Sequence, residues 1–209
     1  MNKVLKEEGV KPFKFIRVQQ LQNDDQPKRL QFCESVLEKQ TNDQNFISKF
    51  VFSDEACFHL NGSVNSHNTF IYNRENPHAT VEKRMKSPAI VCWAMVSPRI
   101  GIHFQILHST MNGETYKEIL TSTVIPIFKE RRNRDLIYQQ DGAPAHFSRE
   151  VRNVLEREIP HRWIGRGSSF PWPPRSPDLS VLDFWLWGDI RHKLYQQPVP
   201  QNWMNWRTN

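Results

Sequence analysis

Residues 89 to 107 read AIVCWAMVSPRIGIHFQIL, and this stretch constrains the fold more tightly than any other part of the chain. Two apolar runs rich in β-branched and aromatic residues flank a short turn containing proline and glycine, which predicts an antiparallel hairpin. A sheet is therefore part of the fold. Upstream, FISKFVFSDEACFHL alternates around Phe50, Phe52, Ala56 and Phe58 and reads as a strand with Asp54 at its centre or end.

The rest of the chain supplies partners for that sheet. Gly113 to Lys129 carries Tyr116, Ile119, Leu120, Val124 and Ile127 near a 3.6-residue period, a helix that ends in the basic cluster KERRNR. DLIYQQD is a short strand that stops at Asp141, because GAPAH forces a turn and opens the strand's end. Ser148 is placed to cap REVRNVLERE, whose Val151, Val154, Leu155 and Ile159 form one stripe, and RWIG follows as a further short strand. WPPRSPDLSVLDFWLWGDIRHKLY then passes from a proline-stiffened loop into a helix that begins only after Pro177, with Asp183 in its first turn or soon after. Near the start, DQPKRLQFCESVLEKQ sets Leu30, Cys33, Val36 and Leu37 at helical spacing, an amphipathic helix expected to pack on the main domain.

That order of elements predicts an α/β fold, a mixed sheet flanked by helices and compatible with a ribonuclease-H-like core. At 209 residues the chain fills one globular core, and its 24% charged and 38% hydrophobic content rules out wholesale disorder. Lysine and arginine number 28 against 22 acids, and the net charge of +6 favours a polyanionic partner without identifying it. The opening MNKVLKEEGVKPFKF has no apolar signal core, and the longest apolar run, Ala89 to Val96, falls far short of the roughly 20 residues a membrane helix needs. Cys33, Cys57 and Cys92 form no C-x-x-C pair and fit a reducing compartment. A soluble intracellular protein without a membrane partner is the expectation.

Asp54, Asp141 and Asp183 all stand at junctions between elements, where side chains from separate parts of a chain can converge. Two divalent ions about 3.5–4 Å apart need several hard oxygen ligands around one phosphate, and carboxylates supply them, magnesium fitting better than zinc. Each acid also has a plain structural reading: FSDE as a strand end, DGAP as a turn, Ser180 with Asp183 as a variant capping box. Asp178 competes with Asp183, but five helical positions turn a side chain by roughly 140°, so one helix cannot aim both at one site. Glu55 should point to the opposite face of the strand from Asp54. His146 could steady the site or simply bond a backbone carbonyl, and the structural role is the simpler. Arg162, Arg166 and Arg175, interleaved with Trp163 and Trp172, could meet phosphates and stack on bases, although core packing explains the tryptophans equally well. Phe184, Trp185 and Trp187, crowded on one short helix, are expected to be buried.

FSDEACF, NGSVNSHN, QQDGAPAHFSREVR, RWIGRG and WPPRSPDLSVLDFWLWG, in this order, resemble the DDE/D transposases of the mariner superfamily. The resemblance covers nearly the whole chain. It implies that Asp54, Asp141 and Asp183 are the catalytic, metal-binding triad, holding Mg2+ with Mn2+ as a substitute, and that Asp178 belongs to the SPDL loop, where it caps the helix of Asp183. It also implies cleavage and joining of DNA at transposon ends, with no small-molecule substrate, by a nuclear homodimer acting at TA dinucleotides. His146 of GAPAH matches the family string and joins Arg162, Arg166, Arg175 and Trp172 as a candidate nucleic-acid contact.

Members of that superfamily carry helix-turn-helix domains ahead of the part matched here. Residues 1–45, including VQQL at Val18 to Leu21, then read as a linker remnant, 46–197 as the catalytic domain and 198–209 as a short tail. The expectation is a truncated core that does not transpose autonomously. A catalytically inactive or repurposed nucleic-acid-binding protein on the same scaffold is the alternative.

Overall fold

The computed structural model describes residues 20–59, 89–107 and 109–195. VQQL lies only partly within these residues, and NGSVNSHN and the 198–209 tail lie outside them.

Five strands form one mixed sheet: β1 (Phe50–His59), β2 (Ala89–Ser97), β3 (Gly101–Leu107), β4 (Ile137–Gln139) and β5 (Trp163–Ile164), in the order β3-β2-β1-β4-β5. The hairpin predicted from residues 89–107 is present, with β2 and β3 antiparallel through Ala94 opposite Phe104, and β2 also antiparallel to β1. β4 and β5 run parallel to β1, so the sheet changes from antiparallel to parallel at β1, the strand that carries Asp54.

Two helices cover one face. Helix α2 is a continuous run of α-helical Gly113–Ile119, a π-turn at Leu120–Val124 and α-helical Ile125–Lys129. Sequence periodicity predicted a single α-helix here; the wide turn lies just before Pro126, which has no amide hydrogen to give the preceding turn. Helix α3 (Arg149–Glu158) begins as expected, the Ser148 hydroxyl accepting from the Val151 amide. Tyr116, Leu120, Val124, Phe128, Val151 and Leu155 of these helices pack on Val51, Trp93, Met95 and Tyr138.

The other face is covered by helix α4, which starts with a π-turn at Leu182–Leu186 and continues as Trp187–Tyr195. Leu182, Leu186 and Trp187 sit on Ala56, Phe58, Cys92 and Ala94. Because β1 alternates, Asp54 shares this face with Ala56 and Phe58, while Ser53 and Glu55 belong to the other.

Helix α1 (Asp25–Asn42) packs near the β5 side, with Phe32 against Phe50, Ile164 and Trp172. The helix is where the sequence put it, but its inward face is rotated. Cys33 and Val36 pack inward as expected, but Leu30 and Leu37 are 60% and 62% exposed, and the inward stripe runs through Asp25, Arg29, Phe32 and Val36 at helical spacing. Half of that stripe is charged, so a search for apolar periodicity passes over it. No helix among the described residues is long and apolar enough to cross a membrane.

Candidate active site

The parallel half of the sheet builds the site. Asp54 stands mid-strand on β1, and β4 ends at Gln139, so that Asp141 lies just past its end in the turn GAP. The Asp141 Oδ1 accepts from the Ala143 amide at 2.9 Å, fixing that turn. Asp183 enters from the opposite side, in the first turn of α4. All three carboxylates line one cleft of about 690 Å³, together with Ser53, Gln139 and Arg166. The three junction acids therefore open into one shared cleft.

Their electrostatics follow from this crowding. Burial first, and then the negative charge of Asp183, push the Asp54 carboxyl up to about 7 against the stabilising hydrogen bond from Trp187. Asp183 is likewise raised, by burial and by the charge of Asp141. Asp141 goes the other way: burial would raise it, but the bond and charge of His146 and the Ala143 amide hold it below the usual carboxylate range. His146 lies 1% exposed between two carboxylates, Nδ1 at 2.6 Å from Asp141 Oδ1 and Nε2 at 3.1 Å from Glu55 Oε1. Burial pulls its pKa down, yet the two carboxylates outweigh it and bring the imidazole to about 10, so both ring nitrogens donate.

Among the described residues no three His, Cys, Asp or Glu side chains close into a metal cage. The open cleft nevertheless suits a hard cation held partly through water. Its donors are carboxylate oxygens, two of its acids are raised by burial and then by a neighbouring carboxylate's charge, which a cation would offset, and the lining Gln139 has a buried Oε1 without a protein partner. Asp54, Asp141 and Asp183 are the residues that could hold such an ion.

The remaining candidates divide. Arg166 lines the cleft, its guanidinium 4.2 Å from the Phe147 ring. Arg175 and Trp172 also line it, but the Arg175 guanidinium bonds both oxygens of buried Asp25 and Gln22 Oε1, and Trp172 packs edge-on against Phe32 at 5.1 Å. Arg162 does not line the cleft: it bonds the Asn133 carbonyl at 3.3 Å and lies over Phe128. Trp163 is core, its indole donating to Glu156 at 2.9 Å.

Asp178 caps nothing. It sits in a separate 3-10 turn, Pro177–Leu179, from which extended Ser180 divides α4, and Arg29 takes both its oxygens. Of the three aromatics expected to be buried on α4, only Trp187 is; Phe184 and Trp185 are 64% and 47% exposed, because one side alone of a short helix can meet the sheet. Trp187 is the site residue that sequence reasoning missed. Its Nε1 donates to Asp54 Oδ2 at 2.7 Å, and the signal was its place four residues after Asp183, on the same side of the helix.

No protein-family model matches the chain. The Tc3 transposase of Caenorhabditis elegans is 27% identical over 177 residues, 85% of this chain and 50% of that protein. The Tc1 transposase of the same organism is 26% identical over 154 residues, 70% of this chain and 52% of its own length. The chain thus spans about half the length of the curated relatives it matches. Among solved structures, a Mos1 mariner paired-end complex with Mg has a TM-score of 0.74 at 20% identity, covering 98% of this chain and 59% of that one. The catalytic domain of Mos1 mariner transposase has a TM-score of 0.65 at 18% identity, covering 92% of this chain and 81% of that domain. The chain is homologous to the Tc-type transposases, and its fold is the ribonuclease-H-like fold of the mariner catalytic domain.

Proposed function

We propose that the chain is a transposase catalytic core that cuts DNA at transposon ends and joins the freed strand to a target. The observation that carries this reading is the shared cleft of Asp54, Asp141 and Asp183, delivered by three separate elements of the sheet and its covering helix. Homology to transposases and a fold shared with a paired-end complex support it.

Asp54, Asp141 and Asp183 would hold Mg2+, or Mn2+ in its place, which when bound supplies polarisation of the attacking and leaving oxygens of a phosphodiester. The chain's own groups do the rest. The three carboxylates fix the cleft relative to the scissile phosphate, so that water for hydrolysis, or a 3′-hydroxyl for strand transfer, attacks in line. Arg166, at the cleft, offsets phosphate charge. No side chain needs to form a covalent bond to DNA. His146, buried behind Asp141, bonds carboxylates and leaves the nucleic-acid contacts to Arg166 and neighbouring lining residues. Paired transposon ends call for two copies of the chain, and DNA as substrate for a nuclear location.

Nicking of supercoiled plasmid in Mg2+ or Mn2+ tests this, comparing the chain with Asp141→Ala at matched folding. Nicking lost in the variant supports the catalytic reading. Equal absence in both, with metal present and the fold intact, favours the inactive or repurposed binding protein.

A further inference from the structure

Two of the three acids have one oxygen already occupied by a buried donor. Trp187, 2% exposed, gives its indole N–H to Asp54 Oδ2 at 2.7 Å. His146, 1% exposed, gives Nδ1–H to Asp141 Oδ1 at 2.6 Å. Trp187 reaches Asp54 across 133 positions, and His146, five residues beyond Asp141 in the same turn region, is tied to the sheet through Glu55, 91 positions away.

The donors are themselves fixed. Behind His146, Glu55 accepts from Nε2 at 3.1 Å, reaching from the sheet face opposite Asp54. Tyr116 lies over the imidazole with ring centroids 4.0 Å apart, and Gln140 Nε2 donates to the His146 carbonyl at 3.1 Å while its Oε1 accepts from the Tyr116 hydroxyl at 3.0 Å. Trp187 is held by the core on Phe58, ring centroids 6.1 Å apart. A carboxylate with one oxygen bonded to a rigid donor cannot rotate freely about its last bond, and its second oxygen is left at one defined position.

We propose that Trp187 and the Glu55–His146 pair are positioning residues, which orient Asp54 and Asp141 so that one oxygen of each is reserved for the cation. Glu55 is thereby drawn into the site although it faces away from Asp54. This inference rests on the reading of the three acids as metal ligands, and its test separates the two.

Binding of Mn2+ to the full chain is measured without DNA from the electron paramagnetic resonance signal of the free ion, with folding checked by circular dichroism. Trp187→Phe and Glu55→Ala should each weaken Mn2+ binding about 10-fold, the usual scale for removing an outer partner of a ligand. Glu55→Gln, whose amide oxygen still accepts from His146, should restore most of the loss. If both Trp187→Phe and Glu55→Ala bind Mn2+ within twofold of the parent while Asp141→Ala does not bind, the positioning proposal fails alone. If Asp54→Ala and Asp141→Ala also bind like the parent, the acids are not ligands, and the underlying reading falls with it.

Discussion

Arg29 on α1 grips Asp178 in the loop before α4 with both terminal nitrogens, at 2.9 and 2.6 Å, and also reaches the Ser176 hydroxyl at 2.7 Å and the Arg175 carbonyl at 3.2 Å. One turn earlier on the same helix, Asp25 holds the Arg175 guanidinium. The segment 172–177, just before Asp178, forms one wall of the acid cleft, so a helix outside the sheet sets the position of that wall.

Replacement Arg29→Ala should therefore cost about 1 kcal/mol of stability, since Asp178 is half in solvent and a surface pair contributes little beyond its geometry. Urea unfolding measures it. The bond from Arg29 holds Asp178 below its ordinary 3.8. A depressed carboxyl stabilises the fold above its unfolded pKa, so this contribution is present above about pH 4 and lost as the pH falls further. In Arg29→Ala the acid limb of the stability curve should be shallower than in the parent.

Asp54→Asn should make the metal-free protein more stable at pH 8. Burial and the charge of Asp183 raise Asp54 to about 7, so near neutral pH its ionised form is held at a cost. A folded pKa above the unfolded value gives stability that is present below about 3.8 and lost as the pH rises through 7. With chelator present, the melting temperature of the parent should fall across that range and that of Asp54→Asn should not. Mg2+ should raise the melting temperature of the parent at pH 8 and leave the variant unmoved.

Much of this was legible in the sequence, and the parts that were not share a cause. The hairpin, the strand of Asp54, the Ser148 cap and the stop of β4 before Asp141 are local patterns, written in alternation, a hydroxyl before a helix, and a glycine and proline after a strand. The inward face of α1, the clamp on Asp178 and the bond from Trp187 to Asp54 depend on residues more than a hundred positions apart, where period and composition carry no signal. Arg162 and Arg166 read alike in the sequence, both basic and near a tryptophan; only the folded chain separates them, Arg166 lining the cleft and Arg162 turned to the Asn133 carbonyl. Charged residues turned inward are the ones that a hydrophobic pattern hides.

The three thiols should react in order of access. Cys57 is exposed on β1, Cys33 is intermediate, and Cys92 is buried, with burial pushing its thiol up to about 12. Thiolate is the reactive form, so iodoacetamide at pH 8 should modify Cys57 first and leave Cys92 intact until the chain unfolds, as peptide mass analysis would show. Early labelling of Cys92 would mean that the β1–β2 pairing opens readily. The raised pKa also implies stability that is complete below about 9 and declines as the pH climbs toward 12.

Among the described residues strand β3 is an edge strand of the sheet, and Ile102, Phe104 and Ile106 along one of its faces are 51%, 44% and 41% exposed. They lie on the same sheet face as Ala94 and Cys92, their partners on β2, which α4 covers while among the described residues β3 is left largely bare. An apolar edge with unpaired backbone groups is a template for another strand, and a lysine on such an edge opposes pairing. Phe104→Lys should change stability by no more than about 0.5 kcal/mol, as an exposed substitution away from caps and cores does. It should also lower self-association of the chain, seen as a shift to smaller mass by light scattering at equal concentration. An unchanged mass with a large fall in stability would show instead that Phe104 is packed against a part of the chain beyond the described residues.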